Sequence, residues 1–282
     1  MALLLLAHAA APGRFGVVTV DHGLRVDGAD EAAMVARVCA ARSIPHATIA
    51  LSLSPGSAVQ ERARAARYYA LGDWVRRIDA IGLLTAHHAD DQAETMVMRL
   101  NRGAGVRGLA AMRPRAAVPG HPDLALLRPL LGWRRSELAH VVAQAGLPAA
   151  DDPSNRDHRF ERARIRAALA SAEWLDINGL ATSAANLAEA DIALDWAAEA
   201  AFNGVASDGG TLEWQPDVPR AVALRVLERI ITQLESAVPR GSAVARWHGA
   251  LARGEVATLA GIRGDGQRRA WRFTRVASHK AR

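Results

Sequence analysis

The run His87-His88-Ala89-Asp90-Asp91 separates a short apolar segment, Ile81 to Ala86, from one in which Ala93, Val97 and Leu100 recur at i, i+4 and i+7. Apolar run, polar loop and amphipathic segment in that order predict a strand feeding a helix, which restricts the chain to folds where helices cover a sheet. If Asp90 or Asp91 caps the helix, its carboxylate accepts the free amides of the first turn, and Glu94 stands one turn on toward the same mouth. Three carboxylates then gather at one strand end, where open α/β sheets bind ligands. Gly103, Gly105 and Gly108, interleaved with Arg102 and Arg107, follow as a cationic loop suited to phosphate. The plainer alternative is a simple cap beside a solvated surface, which the density of the cluster argues against.

The alternation extends to both sides. Phe15 to Val20 and His46 to Leu51 read as strands, and Ala29 to Arg42 and Ser57 to Ile81 as helices, the latter carrying Arg64, Arg67 and Tyr68. The predicted class is α/β: a parallel sheet with helices on both faces, followed by a smaller, mainly helical module. Met1 to Ala11 reads as a buried helix, because it lacks the basic flank of a secretory signal and is too short to span a membrane. Pro114 to Pro122 reads as a linker, Leu124 to Leu131 as an apolar run holding Arg128, and Arg135 to Ala145 as a helix. After a turn at Asp151 to Asn155, Arg159, Arg162 and Arg166 share a helical face, with Arg164 beside them. This stripe suits RNA phosphate; the alternative is a solvated helix paired with Glu161. From Glu173 the chain turns alanine-rich and helical over Asn178 to Asn203, Val218 to Glu235 and Val244 to Leu251, with a hairpin expected around Gly264-Asp265-Gly266. The expected domains are 1–170 and 171–282. Trp214, Trp247 and Trp271 read as core of the second, with base stacking as the alternative.

Composition narrows the chemistry. A formal charge of +6 suits a polyanionic partner. Lys280 is the only lysine, so a GK[ST] nucleotide loop is excluded, and phosphate must be met by arginine or backbone amides. Cys39 is the only cysteine and lies on an apolar helical face, which excludes internal disulfides, cysteine-type zinc sites and a two-cysteine sulfur relay. A cytoplasmic location without membrane association follows as an expectation.

The segment from His87 to Leu109 resembles the HHxDDQxET…RGxGxxGL pattern of tRNA(Ile)-lysidine synthases, in the PP-loop ATP pyrophosphatase superfamily. Val20-Asp21-His22-Gly23-Leu24-Arg25, Ala63-Arg64-Ala65-Ala66-Arg67-Tyr68, Leu127-Arg128-Pro129-Leu130-Leu131 and Asp152-Pro153-Ser154-Asn155 match in the same order, so the resemblance covers most of residues 1 to 170. It implies adenylation of the wobble cytidine of an isoleucine tRNA with a CAU anticodon, at the expense of ATP, and attack by L-lysine. It implies catalytic roles for Asp91, Glu94 and Asp90, a nucleotide pocket of Asp21, His22, His88, Arg64 and Arg67, and RNA contacts from Arg102, Arg107, Arg128, Arg162, Arg164 and Arg166. Mg²⁺ is expected at Asp91. The oligomeric state stays open, a homodimer included. Two departures stand out: Ala163 replaces the asparagine of the family's RNRIR run, and the SGGxDS phosphate loop that should precede the first helix is absent from the sequence. The chain as written is therefore expected to bind tRNA without ATP-dependent lysine transfer, and an added SGGxDS segment to restore it. Two alternatives remain at this point: a non-catalytic tRNA-binding derivative, and a PP-loop enzyme that thiolates tRNA, against which the single cysteine argues.

Overall fold

The computed structural model describes residues 1–21, 28–52, 59–147, 157, 159–235, 239 and 241–276, apart from the side chain of Gln60. The chain divides into two compact units, Met1–Ala188 and Glu189–Arg282. The boundary falls inside a helix, beyond the expected one at residue 170.

In the first unit the order is α1 (Ala2–Ala10), β1 (Val17–Asp21), α2 (Gly28–Ala40), β2 (His46–Ala50), α3 (Val59–Arg77), β3 (Gly82–Leu84), α4 (Ala89–Leu100), α5 (Val106–Leu109), β4 (Arg115–Val118), β5 (His121–Leu127), α6 (Arg135–Gln144) and α7 (Glu161–Ser171). The α/β alternation holds, with β1 parallel to β2 and β3 parallel to β5. These pairs form separate ladders, β1-β2 and β3-β5-β4, and among the described residues no strand pairs the second edge of β1 or of β3. The side chains are more continuous than the ladders. Tyr68, Leu71 and Val75 of α3 pack with Leu83 and Leu126, and Val18 and Val20 of β1 join the same cluster. Leu4 of α1 is buried with Val38, Cys39 and Ile44, so the apolar start is a packed helix of the fold.

The expected linker at Pro114 to Pro122 is instead a hairpin. β4 pairs antiparallel with β5 through a turn at Gly120, whose φ of +83° is the left-handed conformation glycine supplies. Arg115-Ala116-Ala117-Val118 has little strand propensity of its own, and its pairing with β5 overrides that. The close approach of α3 to β5 depends on Gly72, where a Cβ would lie 2.1 Å from the His121 ring.

The helix α8 (Ile177–Phe202) begins in the first unit and ends in the second. The second unit continues with β6 (Ala206–Asp208), β7 (Thr211–Trp214), α9 (Arg220–Leu234), α10 (Gly241–Ala252), β8 (Val256–Leu259), β9 (Ile262–Asp265) and β10 (Trp271–Arg275). Its strands form an antiparallel sheet in the order β6-β7-β10-β9-β8, more sheet than the expected helical module with one hairpin. Both tight turns carry two residues with positive φ, Gly209-Gly210 and Ala260-Gly261, as two-residue hairpins of type I′ require. The β8-β9 turn is thus at Ala260-Gly261, while Gly264 and Asp265 lie in β9. α9 buries Val222, Ala223, Val226, Leu227, Ile230, Ile231 and Leu234, one face at helical spacing, and each full-sized apolar side chain contributes about 1.5–3 kcal/mol by leaving water. Trp214, Trp247 and Trp271 are buried in that core, so the core reading of the tryptophans holds and base stacking does not.

Candidate active site

The chain enters the site from β3. The Thr85 N–H donates to the Leu127 carbonyl at 2.9 Å, and the Ala89 N–H to the Trp133 carbonyl at 2.8 Å, fixing the start of α4 against β5 and the segment before α6. The N-cap is His88, where an aspartate was expected. Its Nδ1 accepts the Asp91 N–H at 3.4 Å, while the Asp91 carboxylate accepts the His88 N–H at 3.1 Å. This reciprocal cap uses the imidazole as acceptor and leaves the aspartates other partners.

Helical spacing then sends the polar side chains of α4 in separate directions. Asp90 reaches α6: it accepts Arg134 Nη2 at 3.2 Å and Nε at 3.3 Å, and the Arg135 backbone N–H at 2.8 Å. Burial alone would raise its pKa, but these donors outweigh that and hold the carboxyl below its ordinary value. Asp91 and Glu94 face α7. Arg162 Nε donates to Glu94 Oε2 at 2.6 Å and its Nη2 to Asp91 Oδ1 at 3.0 Å, while Arg166 Nε donates to Glu94 Oε1 at 2.6 Å. Glu94 is only 2% exposed, and such a buried carboxylate needs charged partners of this kind. Gln92 and Arg99, seven residues apart and so on one face, turn to the glycine-rich loop. Gln92 exchanges two 2.8 Å hydrogen bonds with the backbone of Met112, and Arg99 Nη1 donates to the carbonyls of Gly108 and Ala111.

The arginine stripe expected to face RNA is therefore divided. Arg162 and Arg166 turn inward onto the carboxylates because the buried Glu94 demands them. Arg159 pairs with Asp157 at 2.6 Å, Arg164 Nη1 donates to the Arg159 carbonyl at 3.2 Å, and Arg102 pairs with Glu161. Arg107 is exposed on α5. Asp21 ends β1 with its carboxylate against Gly28 at the start of α2; its expected companion His22 lies outside the described residues, as does the Asp152-Pro153-Ser154-Asn155 turn.

A second group forms around His87. Arg64 lies 5.1 Å above the Tyr68 ring, Arg128 Nη1 donates to the Arg113 carbonyl at 2.7 Å, and the buried Arg128 Nε has no hydrogen-bond partner. Burial and the nearby Arg64 push the Arg128 guanidinium below its usual pKa. His87, bonded through Nδ1 to the Thr85 hydroxyl at 2.9 Å, is pushed down to about 4 by burial, with Arg128, Arg64 and Arg162 adding to the shift against the attraction of Asp91. A neutral imidazole among partly desolvated arginines, one with an unused donor, fits a polyphosphate. A protein-held metal fits less well. Arg162 occupies Asp91, and among the described residues no three His, Cys, Asp or Glu side chains gather to hold an ion, so the expected Mg²⁺ at Asp91 has no protein cage.

A cleft of about 450 Å³ opens beside α4, lined by Asp90, Glu94, Arg134, Arg135, Arg166 and Ser136 on its polar side and by Leu169 and Ile177 on its apolar side. The reading of the sequence missed Arg134, Gln92 and Arg99. Gln92 falls inside the HHxDDQxET pattern, but no local signal distinguishes a side chain that clamps a backbone twenty residues away.

Comparisons with known proteins define the family. A PP-loop domain family matches residues 1–173, which defines the class. The solved U34-tRNA thiolase NcsA of Methanococcus maripaludis, which carries a [4Fe-4S] cluster, shares the fold at a TM-score of 0.53 with 16% identity, over 68% of each chain. The tRNA(Ile)-lysidine synthase of Novosphingobium aromaticivorans is 55% identical over 100% of this chain and 87% of its own, and that of Zymomonas mobilis is 36% identical over 99% and 86%. The chain belongs to the tRNA(Ile)-lysidine synthase family of PP-loop proteins.

Proposed function

We propose that the chain ligates L-lysine to the wobble cytidine of an isoleucine tRNA with a CAU anticodon, at the expense of ATP. The observation that carries this is the α4 mouth: a buried Glu94 with Asp91 beside it, opening on a cleft whose lining combines carboxylates, arginines and aliphatic side chains. That lining suits an amino acid with both charges and a long aliphatic chain. Family membership supplies the rest. The cytidine C2 oxygen attacks the α-phosphorus of ATP and pyrophosphate leaves; the lysine ε-nitrogen then adds to C2, and the C2–O bond to AMP breaks. Asp91 and Glu94 hold the ammonium end and take the proton it must lose before attack. Asp90 is a positioning residue, joining the start of α4 to the N-terminus of α6. Arg64, Arg67 and Arg128 would hold the ATP phosphates, while Mg²⁺ would arrive with the nucleotide. Arg102 and Arg107 contact RNA phosphate from the loop that Gln92 and Arg99 pin. No helix among the described residues is long and apolar enough to cross a membrane, and the single buried cysteine suits a cytoplasmic enzyme. The second reading, a thiolase, is disfavoured because one cysteine supplies neither a cluster nor a sulfur relay.

The test is ATP-dependent transfer of radiolabelled lysine to this tRNA. Asp91→Asn and Glu94→Gln are expected to lose transfer by a hundredfold or more, with tRNA binding nearly intact. Wild-type turnover in both would refute the assignment.

A further inference from the structure

We propose that Arg162 is a built-in competitor for the amine seat, and that tRNA phosphate draws its guanidinium away so that RNA binding opens the seat to lysine. The inference rests on the reading of Asp91 and Glu94 as that seat. One guanidinium spans both carboxylates, with Nε 2.6 Å from Glu94 Oε2 and Nη2 3.0 Å from Asp91 Oδ1. A lysine ammonium needs the same oxygens, where Arg162 and Arg166 already sit, and a third cation at hydrogen-bond distance adds repulsion. The seat is therefore filled by the protein's own cation until that cation finds another anion.

Exposure singles out the arginine that leaves. The Arg162 side chain is 39% exposed, against 26% for Arg166 and 3% for the Glu94 they share. Arg166 holds Glu94 Oε1 through Nε at 2.6 Å and reaches Oε2 through Nη2 only at 3.3 Å, so departure of Arg162 leaves the buried carboxylate with one charged partner and frees the 2.6 Å position on Oε2, which an ammonium fills. Phosphate is a suitable competitor because a guanidinium meets it with the same forked geometry it uses on carboxylates. The route lies along an exposed basic rim just before α7 and just after α4: Arg159, at 85% side-chain exposure, paired with Asp157, and Arg102, at 62%, paired with Glu161. Pairs whose cation is this exposed contribute little to stability, so a polyanion exchanges into them readily. The exchange trades one charge-assisted pair for another at each step and makes lysine entry conditional on RNA.

The test is equilibrium dialysis of radiolabelled lysine against the full chain, with and without the isoleucine tRNA. Wild-type protein is expected to bind lysine about tenfold more tightly when the tRNA is present. Arg162→Gln, which removes the competing charge, is expected to reach that affinity without RNA and to gain little from it. Arg162→Lys, which keeps a cation in place, is expected to stay within about twofold of the wild type in the absence of RNA, and thermal melts establish that both variants fold. Lysine affinity that is independent of tRNA in the wild type and unchanged in Arg162→Gln would overturn the proposal while leaving the amine seat intact. Absence of lysine binding in every arm, tRNA included, would overturn the seat as well.

Discussion

Two arginine–carboxylate clusters in this molecule use the same residue types and differ in what they can do. In the second unit Arg225 is buried between Asp191 and Asp195, which stand four apart on α8, and Arg229 pairs with Glu199 one turn on. Arginine and inner aspartate are each under 10% exposed, and the pairs staple α9 to α8. In the first unit Glu94 is equally buried, but its arginines come from α7 with their outer parts in solvent, and the carboxylate borders a cleft. A closed pair stabilises; an open pair can exchange partners. Burial of the carboxylate is common to both, so the exposure of its partner and the cleft beside it separate structure from function.

That contrast can be broken by substitution. The largest stability effect is expected in the closed cluster: Asp191→Asn leaves Arg225 short of a buried partner and should cost about 3–5 kcal/mol in urea unfolding, with lysine transfer per folded molecule within about threefold of normal. A comparable loss of transfer would mean that the closed cluster is not merely structural. Next comes the imidazole beside the open cluster. Because the His87 pKa is lowered to about 4 from 6.5, the unfolded chain takes up a proton between these values that the folded chain refuses. His87 therefore makes stability fall as pH drops below 6.5, by up to about 1.4 kcal/mol per unit, or about 2 kcal/mol by pH 5. His87→Asn should remove that slope, and an unchanged pH profile would contradict a desolvated imidazole. Gln92→Ala leaves the Met112 backbone groups without their partner and should cost about 1–3 kcal/mol, which differential unfolding in urea would read. The smallest stability change is expected for Arg102→Ala, under about 1 kcal/mol for an exposed pair. The same substitution should lower the salt slope of tRNA binding by about 0.7–0.9 if the arginine meets a phosphate, and an unchanged slope would remove Arg102 from the RNA surface.

The sequence displayed the parts of this molecule whose signals are local. Apolar periodicity marked β1, β2, α3 and α4 to within a few residues, and the dense polar stretch before α4 marked the mouth. What stayed hidden depends on partners far along the chain. β4 becomes a strand only beside β5, and β6 and β7 are short, although the Gly209-Gly210 pair between them is a hairpin signal that was legible. The carboxylates of α4 were visible, but not the division of labour that sends Asp90 to Arg134 and Glu94 to Arg162 and Arg166. Helical spacing correctly put Arg162 and Arg166 on one face; it could not tell that the face looks onto a buried glutamate rather than water.

The central claim is that the open cluster is the seat of the amine, and direct binding tests it without the chemistry. Radiolabelled lysine would be dialysed against the wild-type chain, Glu94→Gln and Asp191→Asn, each with the isoleucine tRNA present and each shown by melting to be folded. Glu94→Gln is expected to lose lysine affinity by about tenfold or more, the roughly 1.4 kcal/mol or greater that a charged hydrogen bond contributes, while Asp191→Asn binds as the wild type does. Unchanged affinity in Glu94→Gln, or an equal loss in Asp191→Asn, would contradict it.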